Sequence, residues 1–251
     1  MFGKILEKAI RGSESPCTLI QHSAELQAWF ADYCKEEGVS CDDARNLRAA
    51  KHRFESYATP LARVCRHFRP LLRVAIKTAH TRSDKAGRGM HDFLKWLQPE
   101  HVLLLGMLAD AGDDALCLTR VFDTEQVDVA EAGRHCYAFN DRMDKLFGSS
   151  EMCFKTPGFC KTMVDVLSKP IVWVMKDKRY SIGSEDGPSH GLKQSCLARM
   201  RCWLKLCAST IQAEFPDFAL VQVFIRPNQN PTSISKSLKW MTELHQLIIS
   251  Q

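Results

Sequence analysis

Val129, Ala132, Cys136, Phe139, Met143 and Leu146 follow one another at intervals of 3, 4, 3, 4 and 3 residues. That alternation lays apolar side chains along one stripe of an α-helix. No other pattern in the chain restricts the fold as strongly, because a stripe of this length predicts a long helix packed against a second helix. The preceding segment has the same period, with Leu104, Leu108, Ala111, Ala115, Leu118 and Phe122 at spacings of four and three. Two such segments in succession predict a helical bundle, with the stripes as its core rather than as a partner surface.

The remaining elements are read from start and stop signals. A helix is predicted from Ser23 to about Glu37, burying Leu26, Trp29, Phe30 and Tyr33 and stopped by Gly38. A second begins near Cys41-Asp42-Asp43 and runs to about Tyr57. Thr59-Pro60 then reads as an N-cap with proline at the first helical position. Pro70 should kink or restart the helix that follows, and His80 to Gly89 reads as a polar loop. Helix resumes from Leu94 to Phe122, interrupted near Pro99. Gly148 to Pro157 is a break, Thr156-Pro157 opens a short helix to about Leu167, and Ile171–Val174 with Arg179–Ile182 predict a hairpin around Lys176-Asp177-Lys178. Further helices are expected at Leu192–Glu214, Pro216–Phe224 and Ser233–Ile249. The predicted class is mainly α: a helical bundle with a small α/β remnant holding the hairpin near 171–182. Three units are expected: an N-terminal helical segment 1–41, a helical domain 42–148 and a C-terminal remnant 149–251.

At 251 residues, 45% hydrophobic and 25% charged, the chain can bury a sizeable core. Its longest apolar run, Val102 to Leu108, is far short of the roughly 18 residues a membrane helix needs. The charged residues Lys4, Glu7 and Lys8 interrupt the stretch that a signal peptide keeps apolar. The expected setting is therefore intracellular, without membrane contact. Eleven cysteines form no Cys-x-x-Cys pair, and Cys65, Cys136, Cys196 and Cys207 fall on apolar helix faces, which predicts free buried thiols. Cys153, Cys160 and His190 are the weak alternative, a metal site without supporting spacing.

The charge distribution is polar along the chain. Between Arg45 and Lys95, 13 Lys or Arg face three acids; between Gln98 and Leu146, 10 acids face four Lys or Arg. Arg63, Arg66, Arg69, Arg73 and Lys77 share about one third of a helical circumference at ~100° per residue. Such a stripe can hold phosphate, or it can pair with the acidic segment beside it or with another protein. His67 and His80 sit with the block and can add to it when protonated, but an ordinary surface or half-buried histidine is the expected reading for each. Motifs of catalysis are missing: the sequence has no phosphate loop, no nucleophile elbow and no His-Glu-x-x-His. Asp110, Asp113 and Asp114 could bind a cation, but a cluster near a helix turn is usually solvated. No cofactor is expected.

Two segments resemble the hAT superfamily of DNA transposases and their domesticated relatives. Arg53-Phe54-Glu55-Ser56, with Pro70 following, is similar to the Arg-Trp-x-Ser opening of that family's helical insertion, and the helices to Phe147 resemble the insertion's body. Phe215-Pro216-Asp217, then Pro231-Thr232-Ser233-Ile234-Ser235-Lys236-Ser237-Leu238-Lys239, is similar to the family's closing motif. The resemblance implies an RNase H-like remnant, nuclear localisation and DNA near the stripe, with Phe54 where the family stacks a tryptophan on a base. It also implies missing chemistry. Leu238 occupies the position of the family's metal-binding glutamate, and no strand ending in aspartate precedes Arg53. Glu243 lies more than one helical turn further on. The expectation is a catalytically inactive, transposase-derived protein that binds DNA through Arg53, Phe54 and the stripe; the alternative is a helical protein-interaction module with no nucleic-acid role.

Overall fold

The computed structural model describes residues 2–41, 47, 55–123, 129–148, 151–175 and 177–214. The protein is mainly helical, with one two-stranded antiparallel sheet among the described residues. In chain order, α1 (Phe2–Leu6) runs into a π turn (Glu7–Arg11) and is followed by α2 (Pro16–Gln21), α3 (Ala24–Glu36), α4 (Glu55–Arg66), α5 (Phe68–Thr81), α6 (Lys85–Trp96), α7 (Pro99–Phe122) and α8 (Val129–Phe147). A 3₁₀ turn (Met152–Phe154) leads to α9 (Phe159–Leu167), the hairpin β1 (Ile171–Met175) and β2 (Lys178–Ile182), and α10 (His190–Glu214). No helix of the described residues is long and apolar enough to cross a membrane.

The 24-residue α7 is the axis of the molecule. Val102, Leu103, Leu104 and Leu105 are all buried in succession, so the N-terminal half of α7 is enclosed on every side, while Asp113, Cys117 and Arg120 leave a solvent-facing stripe on its C-terminal half. It is packed by α4, α8, α9 and α10. Gly106 sets the closest approach: a β-carbon there would stand 2.8 Å from Cys160 Cα and 2.9 Å from the Phe159 carbonyl of α9. The stripe of α8 packs inward through Ala132, Cys136, Phe139 and Met143. One hydrophobic core continues from Phe2 to Cys207 and includes the predicted hairpin through Trp173, Met175 and Ile182.

Several boundaries differ from expectation, each for a local reason. Pro60 does not start a helix: α4 is already helical at Glu55, and Pro60 lies inside it. The basic helix does restart, as expected near Pro70, but the break falls ahead of the proline. The chain breaks at His67 (φ −108°, ψ 22°), and Pro70 sits in the first turn of α5, where its missing N–H leaves no helical bond unmade. The proposed loop 80–89 shrinks to three residues, because Asp84 caps α6 by accepting from the Gly87 N–H at 3.0 Å. Gly87 and Gly89, within the predicted loop, are helical positions under close contact; a β-carbon on Gly87 would overlap the Arg82 carbonyl at 1.9 Å. Pro99 does open a new helix, as N1 of α7. The helix predicted from Ser23 is present with Ser23 as its cap, and the expected stop at Gly38 takes a left-handed φ of +68°. The helices expected at 216–224 and 233–249, and the start near Asp42, lie outside the described residues.

Candidate functional site

Helix α5 is amphipathic: Phe68, Leu71, Leu72, Val74, Ala75 and Thr78 are buried, which turns Arg69, Arg73 and Lys77 outward. Helix α3 packs beside it. Across that contact, Arg73 meets Glu36 at 2.5 Å and Glu37 at 3.5 Å, while its guanidinium carbon lies 4.1 Å from the Tyr33 ring centroid. Lys77 Nζ lies 4.1 Å from the Trp29 ring and 5.9 Å from Tyr33. Trp29, Lys77, Tyr33 and Arg73 thus alternate ring and cation, each ring face stabilising a positive charge. Among the described residues the Lys77 ammonium meets aromatic faces only. Arg69 does different work. Its Nη2 donates to the carbonyls of Lys169 at 2.8 Å and Val166 at 3.4 Å at the end of α9, and the Val166 carbonyl also accepts from the Lys169 N–H.

The other half of the stripe belongs to α4. Arg63 is half-buried, and Arg66 is exposed with its guanidinium 5.4 Å from the Phe159 ring. His67 does not extend the basic face. It is 2% exposed, with ring nitrogens 2.9 Å from the carbonyls of Arg63 and Ser40, and it holds the α4–α5 elbow against the end of α3. His80 is exposed and reaches the Val174 carbonyl of β1 at 2.5 Å. The stripe therefore divides at the elbow into an α4 part and an α5 part with different surroundings.

The α5 part borders an open cleft of about 450 Å³. Helix α3 contributes Tyr33 and Glu37; α5 contributes Arg69, Arg73, Ile76 and Lys77; Pro170, Ile171 and Val172 close the far side. Three cations and one carboxylate make its walls net positive. The sequence reading placed Trp29 and Tyr33 in the core; they are only partly buried, with Lys77 and Arg73 lying over their outer faces. Glu36 and Glu37 were not singled out at all. The i, i+4 spacing of Trp29 and Tyr33, followed by two acids, is the signal that could have marked this face of α3.

The carboxylates that meet Arg73 come from α3 and not from the acidic segment 98–146. Several of those described within that segment have other partners. Asp110 accepts from the Phe159 N–H at 2.7 Å and the Cys160 N–H at 2.8 Å; burial raises its carboxyl above the ordinary value, and those two amides oppose the shift. Asp114 binds Arg142 at 2.8 Å, and Glu100 binds Arg199 at 3.0 Å. No group of three or more metal-ligating side chains occurs among the described residues. Cys153 and Cys160 are buried, whereas His190 is exposed beside Glu151 at 3.7 Å. All eleven cysteines are free thiols. Burial pushes Cys136, Cys196 and Cys207 up to about 12, far from the thiolate a ligand or nucleophile needs. Arg53, Phe54, Leu238 and Glu243 lie outside the described residues. No protein-family model, no curated protein and no solved structure matches the chain.

Proposed function

We propose that this chain is a non-catalytic protein-interaction module whose contact surface is the cleft between α3, α5 and the start of β1. The observation that carries this reading is the convergence of Arg73, Lys77 and Tyr33 on a concave surface, with Trp29 against the Lys77 ammonium. Concave sites with a few placed charges and aromatic faces suit a protein segment better than a duplex. Duplex DNA attracts a run of cations that neutralise successive phosphates. Here Glu36 and Glu37 stand among the cations, and their charge opposes a phosphate backbone. The absence of catalysis is supported by Leu238 at the resemblance's glutamate position and by the commitment of both Asp110 oxygens to backbone amides.

A second reading, a transposase-derived DNA binder in the nucleus, draws support from Arg66, exposed at the end of α4 and outside the cleft. Labelled duplex DNA separates the two. The interaction module shows no saturable duplex binding at roughly 50 mM salt. Binding with a log–log salt slope of roughly −4, reduced in Arg66→Ala, would overturn it in favour of the DNA reading.

A further inference from the structure

The hairpin closes on two residues, with Met175 opposite Lys178. In a two-residue hairpin the closing pair exchanges hydrogen bonds, and the pairing alternates outward from it. Trp173↔Tyr180 and Ile171↔Ile182 are therefore bonded pairs, while Val172↔Ser181 and Val174↔Arg179 are not. The N–H and C=O of Val172 and Val174 consequently point away from β2. The Val174 carbonyl bears this out, since it faces His80 Nε2 on α5. The free edge of β1 thus faces α5. The Val172 N–H and C=O have no hydrogen bond among the described residues, and Val172 lines the cleft whose opposite wall holds Arg73 and Lys77. Val172 is 45% exposed and Val174 48%, an apolar outer face on an edge strand that His80 covers at Val174 and leaves open at Val172.

We infer that the cleft takes an extended, acidic peptide segment, which adds to β1 as a third strand. Its backbone bonds to Val172, and a carboxylate of its wall-facing side chains reaches the Lys77 ammonium. Edge addition supplies affinity through main-chain hydrogen bonds, and the alternating side chains supply selectivity. Charge sets the sign of the partner. Arg69, Arg73 and Lys77 outnumber Glu37 in the cleft, and Lys77 is the cation whose partners are rings alone. The same cations disfavour a second copy of this chain across a two-fold axis, which would set lysine and arginine against their own kind. This inference rests on the interaction-module reading and narrows its partner.

The test uses the full chain and a fluorescent seven-residue peptide of alternating glutamate and valine, at low salt. Saturable binding is expected, with slowed exchange of the Val172 amide. Lys77→Glu weakens it about tenfold or more, as loss of a charge-assisted contact does. Glu37→Gln strengthens it, by removing the carboxylate that opposes the ligand. Val172→Pro deletes the outward amide at an edge position that tolerates proline, and weakens binding about tenfold. A peptide N-methylated on alternate residues gives the same answer on the unaltered protein, should the proline variant fold poorly. Equal binding of the methylated and plain peptides overturns strand addition. Preference for a helical acidic peptide overturns it while leaving the interaction module standing. Concentration-dependent dimerisation that blocks the peptide overturns the choice of partner. Binding of duplex DNA in place of both peptides removes the module reading itself.

Discussion

The N-terminus of α6 is capped by Asp84, its neighbour in sequence, whereas that of α9 is capped by Asp110, which arrives from the middle of α7. Both carboxylates accept backbone N–H bonds of about the same length: Gly87 at 3.0 Å for Asp84, Phe159 at 2.7 Å and Cys160 at 2.8 Å for Asp110. Their acidities move in opposite directions. The Arg82 hydrogen bond, with help from the Gly87 amide, holds Asp84 down to about 2. Burial lifts Asp110 above the ordinary value despite its two amides. The same capping chemistry is thus inexpensive at the surface and demanding in the interior, where loss of the cap has no water to replace it. The interior cap also depends on packing. Gly158 lets Asp110 reach α9, since a β-carbon there would lie 2.8 Å from Oδ1.

Removing the interior cap is the most severe way to break this contrast. Asp110→Ala strands the Phe159 and Cys160 amides at a part-buried helix end, and a loss of about 3 kcal/mol is expected in urea unfolding. A loss below about 1 kcal/mol would show that the two amides find other acceptors, and would make the two caps equivalent. Gly106→Ala comes next. Its methyl must enter a space 2.8 Å from Cys160 Cα, so overpacking of about 1–3 kcal/mol outweighs the gain of about 1 kcal/mol from helix propensity. If α7–α9 spacing is what seats Asp110, the double variant loses less than the sum of the two. Strict additivity would separate the cap from the packing.

The α5 cations belong with the surface side of the comparison. Arg73→Ala and Lys77→Ala are each expected to cost below about 1 kcal/mol, because their partners are solvent-exposed carboxylates and ring faces. A loss as large as that of Asp110→Ala would identify the α3–α5 contact as a structural clamp rather than a surface available to a partner.

What was legible in the sequence follows the same division between local and distant causes. The α8 stripe, the Ser23 cap, the Gly38 stop and the hairpin are written in adjacent residues, and each is present. Asp84 is equally local, but the polar stretch 80–89 reads as a loop; what keeps Gly87 and Gly89 as glycine is contact with Arg82 and Glu14, which no window of sequence displays. Asp110, beside Asp113 and Asp114, reads in sequence as part of a solvated cluster because its partners lie 49 and 50 residues away. The candidate site divides likewise. Arg69, Arg73 and Lys77 were visible as a periodic stripe. Their aromatic and acidic partners on α3, and the free edge of β1, become neighbours only when three separate elements pack together.

The pH dependence of the two caps is the smallest expected effect, and it carries the comparison's sign. Asp84 is depressed in the folded state, so between about 2 and the ordinary 3.8 the unfolded chain holds more protons. The stability it contributes is fully present above 3.8 and is lost as pH falls toward about 2. Asp110 is raised, so just above 3.8 the folded chain holds the extra proton, and its ionisation lowers stability as pH rises through that window. Carboxyl carbon shifts followed by NMR should therefore place the Asp84 midpoint near 2 and the Asp110 midpoint above 3.8. Arg82→Ala should move the first upward and leave the second in place, because Arg82 is the leading cause at Asp84 and is absent from the surroundings that set Asp110. Two midpoints that coincide, or that shift together in Arg82→Ala, would mean that burial does not distinguish the caps.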